Sequence, residues 1–97
     1  EDVTPPAVTV ISPRDKMYNI LTIPIKVLAS DPSGIAEVKA QIDDSTNITL
    51  TERNGLYVGS VDLPEGQHHI RIYAADSVGN VNSNKVVYFR INPIWLM

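Results

Sequence analysis

The sequence predicts an all-β fold, an antiparallel sandwich of about seven short strands packed as two layers around one core. Three observations carry this. Apolar residues alternate with period two in several segments, apolar spacing at the helical period is not sustained anywhere, and clusters of Gly, Pro, Asn and Asp divide the chain at short, even intervals. Alternation matters because successive strand side chains point to opposite faces, so one apolar parity marks a strand that lies on a core by one side. Ninety-seven residues make one domain, with enough chain for a single two-layered core.

The strands follow in order. Val8–Ser12 is a β-branched run closed by Pro13. In Thr22–Ser30, Ile23, Ile25, Val27 and Ala29 alternate with Pro24, Lys26 and Leu28. Pro24 cannot donate to a ladder, so it marks a bulge or the start of this strand. Ile35–Ile42 follows the turn Asp31-Pro32-Ser33-Gly34, and Ile48–Glu52 follows Asp43-Asp44-Ser45. Asn54-Gly55 between Ile48–Glu52 and Leu56–Asp62 is a strong short hairpin signal, because both residues tolerate positive φ. His68–Ala75 comes after Pro64-Glu65-Gly66, with Ile70, Ile72 and Ala74 on one parity. Lys85–Ile91 comes after Asp76-Ser77-Val78-Gly79-Asn80, with Val87, Phe89 and Ile91 inward.

Composition narrows the function classes. The formal charge is −3 from 8 basic and 11 acidic residues, scattered in both signs, and no basic run offers a footprint for nucleic acid or an anionic membrane. Cysteine is absent, which removes disulfides, zinc–thiolate sites and thiol chemistry. The sequence shows neither a signal peptide nor a membrane span. The opening Glu1-Asp2 and the apolar Ile94-Trp95-Leu96-Met97 read as cut ends of a larger chain. Residues 1–6 are expected as a linker and residues 92–97 as the junction to a following segment. Gly-x-Ser-x-Gly, phosphate-loop and His-rich metal motifs are all missing, so the residues give no case for catalysis.

Three blocks in register carry a resemblance. They are Asp2-Val3-Thr4-Pro5-Pro6-Ala7-Val8-Thr9-Val10-Ile11-Ser12-Pro13, then Val27-Leu28-Ala29-Ser30-Asp31-Pro32-Ser33-Gly34-Ile35-Ala36-Glu37-Val38, then Leu63-Pro64-Glu65-Gly66-Gln67-His68-His69-Ile70 running on to Ala74-Ala75-Asp76-Ser77-Val78-Gly79-Asn80. From Thr4 to Ile91 the chain resembles the bacterial and archaeal Ig-like repeats, which share the architecture of fibronectin type III and cadherin domains. The resemblance implies an Ig-like Greek-key sandwich and an extracellular or cell-surface setting. It also implies a spacer or adhesion role beside neighbouring domains, as in adhesins and surface-layer proteins, or an accessory role beside a secreted hydrolase or protease. The apolar tail after Ile91 departs from a usual repeat-to-repeat linker.

Candidate sites rest on few residues. Asp31 and Asp76 leave two strands that an Ig-like fold brings to one pole, where Asp2 would also hang. Carboxylates and loop carbonyls there can hold calcium, a cation taking ~6–8 oxygen ligands; the competing role is turn-forming through Asx-type bonds. His68 and His69 are adjacent in a strand and so point to opposite faces, which prevents joint chelation. His68 lies inward at a corner and is expected to bond back to the chain. Lys26 faces outward, which removes it from an internal cross-link with Asn92. Tyr73 and Tyr88 face outward on neighbouring strands as a possible ridge for a glycan or protein ligand. Asn47-Ile48-Thr49 is an N-glycosylation sequon on a hairpin shoulder.

Overall fold

A computed structural model describes residues 4–92. Nine strands form among them: β1 Ala7–Ser12, β2 Met17–Tyr18, β3 Thr22–Ser30, β4 Ile35–Ile42, β5 Thr46–Thr49, β6 Thr51–Arg53, β7 Leu56–Asp62, β8 Gly66–Asp76 and β9 Val81–Ile91. One sheet has the order β1-β3-β7-β6 and the other β2-β9-β8-β4-β5. The chain visits the second sheet briefly at β2, then changes sheet between β3 and β4, β5 and β6, and β7 and β8, which gives the Greek-key sandwich.

Alternation sets the inward face of each sheet. Ile23, Ile25 and Val27 of β3 face Val38, Ala40 and Ile42 of β4 and Ile70, Ile72 and Ala74 of β8, all buried. Phe89 and Ile91 close the core from β9. Three features of this sandwich differ from the sequence expectation. The single strand expected at Ile48–Glu52 is two, because the chain crosses from one sheet to the other at Leu50. Its side chain is buried between the layers, with β5 pairing β4 and β6 pairing β7. The short β2 was not expected at all; it lies parallel to β9, the one exception to antiparallel pairing among the described strands. Strand β9 is also longer than expected, starting at Val81 and carrying a register shift opposite Ile72–Ala74.

Two glycines are set by this architecture. Asn54 and Gly55 take φ of 53° and 86°, the two positive angles of the tight turn joining β6 to β7. Gly59 of β7 lies under the Leu50 crossing, where a Cβ would stand 2.8 Å from Leu50 Cδ2. Pro24 costs no ladder bond. Its carbonyl accepts from Ser12 Oγ at 2.7 Å, so its backbone faces the β1 side, where the pairing of β1 ends at Ser12.

Candidate functional site

The pole at which β1 begins holds both acidic turns. Ile35 of β4 pairs with Asp76 of β8, and Ser77 N–H donates to the Gly34 carbonyl at 3.1 Å, so the Asp31 and Asp76 loops touch. Each carboxylate closes its own turn. Asp31 Oδ1 accepts from Ser33 N–H at 2.9 Å and from Ser33 Oγ at 2.8 Å. Asp76 is only 2% exposed. Its Oδ1 accepts from the N–H groups of Val78 and Asn80 at 3.0 and 2.8 Å, and its Oδ2 from Asn80 Nδ2 at 2.9 Å. These are Asx-type bonds that take the place of water for a buried charge. Among the described residues no three His, Cys, Asp or Glu side chains converge as a metal site. Asp2 lies outside the described residues.

At the corner leading into β8, the His68 ring is buried beside Phe89, with centroids 5.9 Å apart. Its Nε2 meets the Pro64 carbonyl at 2.8 Å and its Nδ1 meets Asp43 Oδ2 at 2.6 Å. Both partners accept and neither donates, so the ring satisfies both only as the doubly protonated imidazolium. Burial disfavours that charge, but the Asp43 hydrogen bond, the Pro64 carbonyl and the Asp43 charge outweigh it and raise the His68 pKa above 6.5. Burial likewise works against the Asp43 carboxylate. The His68 bond, the His69 amide at 2.9 Å and the two imidazoles reverse that and hold it below 3.8. Asp43 carries φ 52° in the β4–β5 turn, which aims its carboxylate back across β8. The sequence marked Asp43 only as a turn former. The outward His69 stacks beside Tyr88 at 5.4 Å and reaches Asp44 at 3.1 Å.

The outer face of the five-stranded sheet carries a shallow groove of about 290 Å³. Tyr73 of β8 forms its apolar wall, half-buried, with its hydroxyl donating to Gln41 Oε1 at 3.2 Å. Lys39 and Glu37 of β4 line it as a 3.1 Å ion pair, and Asn47 of β5 completes the polar side. Asn47 reaches the groove because β5 pairs it with Gln41. Tyr88 does not join Tyr73 in a ridge. The register pairs Tyr88 with His69, four residues from Tyr73 along β8; that is about 13 Å at ~3.3 Å per residue. Lys26 is exposed on β3, and Asn92 bonds to Met17 Sδ at 3.5 Å. The tail Ile94-Trp95-Leu96-Met97 lies outside the described residues.

Two packed sheets in this order, with the first edge divided between β1 and β2, define an immunoglobulin-like β-sandwich module. The chain belongs to the bacterial Ig domain family, whose profile matches residues 6–72. No curated protein sequence matches it. Among solved structures it is similar to the fibronectin(III)-like modules of Clostridium thermocellum CbhA, with 21% identity and a TM-score of 0.75, over 90% of this chain and 98% of that one. It is similar to part of the endo-β-1,4-mannanase of Thermotoga petrophila, with 16% identity and a TM-score of 0.77, over 97% of this chain and 21% of that one. A third likeness is to the SrpA adhesin of Streptococcus sanguinis, with 18% identity and a TM-score of 0.64, over 96% of this chain and 60% of that one. The chain thus spans about a fifth of the mannanase and three fifths of the adhesin. At these identities the likeness speaks to the fold.

Proposed function

We propose that this chain is a non-catalytic spacer or accessory module of a larger secreted or cell-surface protein. One observation carries the reading: the chain enters and leaves at opposite poles. Pro6 lies at the end where its carbonyl accepts from Asn82 Nδ2 at 2.9 Å, whereas Asn92 N–H donates to Tyr18 O at the other end of β9. The 11 residues of β9 separate the two, about 35 Å at ~3.3 Å per residue. A sandwich crossed end to end holds whatever flanks it apart, and Asp31 and Asp76 tie down the turns at one pole. The likeness to modules within a mannanase and an adhesin supports the same reading. Deleting residues 7–91 from the parent protein should shorten its maximum dimension in small-angle scattering by about 35 Å and leave the intrinsic activity of the flanking domains intact. Catalytic turnover by the purified 97-residue chain would overturn it.

A second reading is favoured by the Tyr73 groove, whose ring wall and amide, carboxylate and ammonium groups suit a neutral oligosaccharide. Glycan-array binding that disappears in Tyr73→Ala would support it. The Asn47 sequon competes with this use, since a glycan on Asn47 would fill the same groove.

A further inference from the structure

Among the asparagines of the chain only Asn47 has Ser or Thr two residues on, in Asn47-Ile48-Thr49. Folding sets this sequon on strand β5, which is last in its sheet and pairs only β4. Ile48 packs toward the core, so alternation along the strand turns Asn47 and Thr49 outward together, and both are exposed. A glycan transferase reads two groups in a sequon, the acceptor amide and the hydroxyl two residues further on. Here the two stand on one open face.

The Asn47 amide is also spared the structural tasks that hold other asparagines. Asn80 Nδ2 donates to Asp76 Oδ2 at 2.9 Å, Asn82 Nδ2 to the Pro6 carbonyl at 2.9 Å, and Asn92 Nδ2 to Met17 Sδ at 3.5 Å. Among the described residues the Asn47 side chain makes no such bond. A substituent on its Nδ2 therefore breaks nothing in the fold.

Asn47 forms one rim of the Tyr73 groove. Asn47 pairs with Gln41 and Tyr73 with Lys39, while the Tyr73 hydroxyl, donating to Gln41 Oε1 at 3.2 Å, holds the ring toward Asn47. Only β4 lies between their strands, which are thus about 10 Å apart at ~4.8 Å per step. An Asn side chain with its first sugars attached covers that span. Ala75 and Val81 extend the apolar side of the groove, against which a sugar ring can lay its C–H face while its hydroxyls meet Lys39 and Gln41. At about 290 Å³ the groove falls just under the ~300–1,000 Å³ of pockets that capture free ligands. A sugar bonded to Asn47 needs no capture. Its short tether holds it at an effective concentration in the millimolar range, so a shallow groove serves.

We propose that Asn47 carries an N-linked glycan whose first sugars cross Gln41 and lie on the Tyr73 ring. This modification requires the secreted or surface setting proposed above, because its donor, a lipid-linked oligosaccharide, is met outside the cytoplasm. An oligosaccharyltransferase of the producing cell joins Asn47 Nδ2 to the anomeric carbon of that donor. The C–N bond forms as the bond from that carbon to the lipid phosphate oxygen breaks. The phosphate leaves with the electron pair, and the amide nitrogen gives up one proton. The attached glycan is bulky and hydrated. It covers the β5 edge against pairing with another chain, and it fills the groove, which then takes no free oligosaccharide.

The test begins with the parent protein recovered from the surface or medium of its own cells. Trypsin, cutting after Lys39 and Arg53, releases Asn47 within the peptide Ala40–Arg53. Mass spectrometry should find that peptide heavier by a glycan, with the added mass on Asn47. Thr49→Ala should abolish the addition and Thr49→Ser should retain it; the position is exposed, so both variants keep the fold. In the glycosylated protein, NMR should show cross-relaxation between sugar protons and the Tyr73 ring. Tyr73→Ala should then lower the melting temperature more with the glycan present than in an Asn47→Gln background. An unmodified Ala40–Arg53 would overturn the proposal, as would a glycan that touches no Tyr73 proton and leaves the Tyr73→Ala deficit unchanged. The protein tested is already outside the cell, so an unmodified peptide counts against the glycan and leaves the secreted spacer standing. Protein confined to the cytoplasm would overturn both.

Discussion

Asp43→Asn isolates the charge of the His68 corner. Asn tolerates the left-handed φ of 52° as Asp does, so backbone and side-chain shape are kept. The imidazolium loses its carboxylate partner. A hydrogen bond to a charged group contributes ~1.5–3 kcal/mol and a neutral one ~0.5–1.5. Asp43 is 35% exposed, and solvent screens its half of the pair, so the low end applies: about 1 kcal/mol at pH 5.5. The sign with pH follows from both groups. The folded pKa of His68 is raised, so its contribution is full below 6.5 and is lost as pH rises through the folded value. The folded pKa of Asp43 is lowered, so its contribution is present above 3.8 and is lost as pH falls through the folded value. The pair therefore stabilises most in mildly acidic solution. Urea unfolding at pH 5.5 and 8.5 should show the variant weaker by about 1 kcal/mol at the lower pH and by much less at the higher. In melting temperature that is ~4–8 °C for a domain of this size. An equal deficit at both pH values, or a larger one at pH 8.5, would refute a charged His68–Asp43 pair.

Three further outcomes follow from the same geometry. Asp76→Ala strips three hydrogen bonds from a buried turn and should cost about 2–4 kcal/mol, measured by urea unfolding, whereas Asp31→Ala, half-buried and bonded to Ser33, should cost less. Gly59→Ala drives a methyl to 2.8 Å from the buried Leu50 and should cost about 1–3 kcal/mol in the same assay. Calcium at millimolar concentration should leave the melting temperature within about 1 °C of its value in EDTA, because Asp31 Oδ1 and both Asp76 oxygens already close their own turns; a rise of ~5 °C would establish a site.

Much of the fold is legible in the chain because side-chain parity is a local property. Thr22–Ser30, Ile35–Ile42 and Leu56–Asp62 occupy the expected ranges. The period-two pattern of β8 and the inward Phe89 and Ile91 could be read without knowing any neighbour. The Asn54-Gly55 turn was readable for the same reason, since its geometry depends on the two residues that form it. Leu50 was not. An apolar residue between two polar threonines looks like one more alternation, and only the gap between two sheets makes it a crossing point.

The sequence by itself determined which side chains turn inward and where the chain reverses. Register and edges were decided by the tertiary structure, because they depend on hydrogen bonds between segments far apart in the chain. His68 was visible as an inward ring, but its partner Asp43 lies 25 residues away and reaches it only because β4 and β8 pair Ile42 with Ile70. Tyr73 and Tyr88 share a face, and only the pairing of Tyr88 with His69 shows them to be well separated. In sequence the basic residues look scattered. Folding sets Lys16 beside Arg90, since β2 lies along β9, a neighbourhood that no local pattern records.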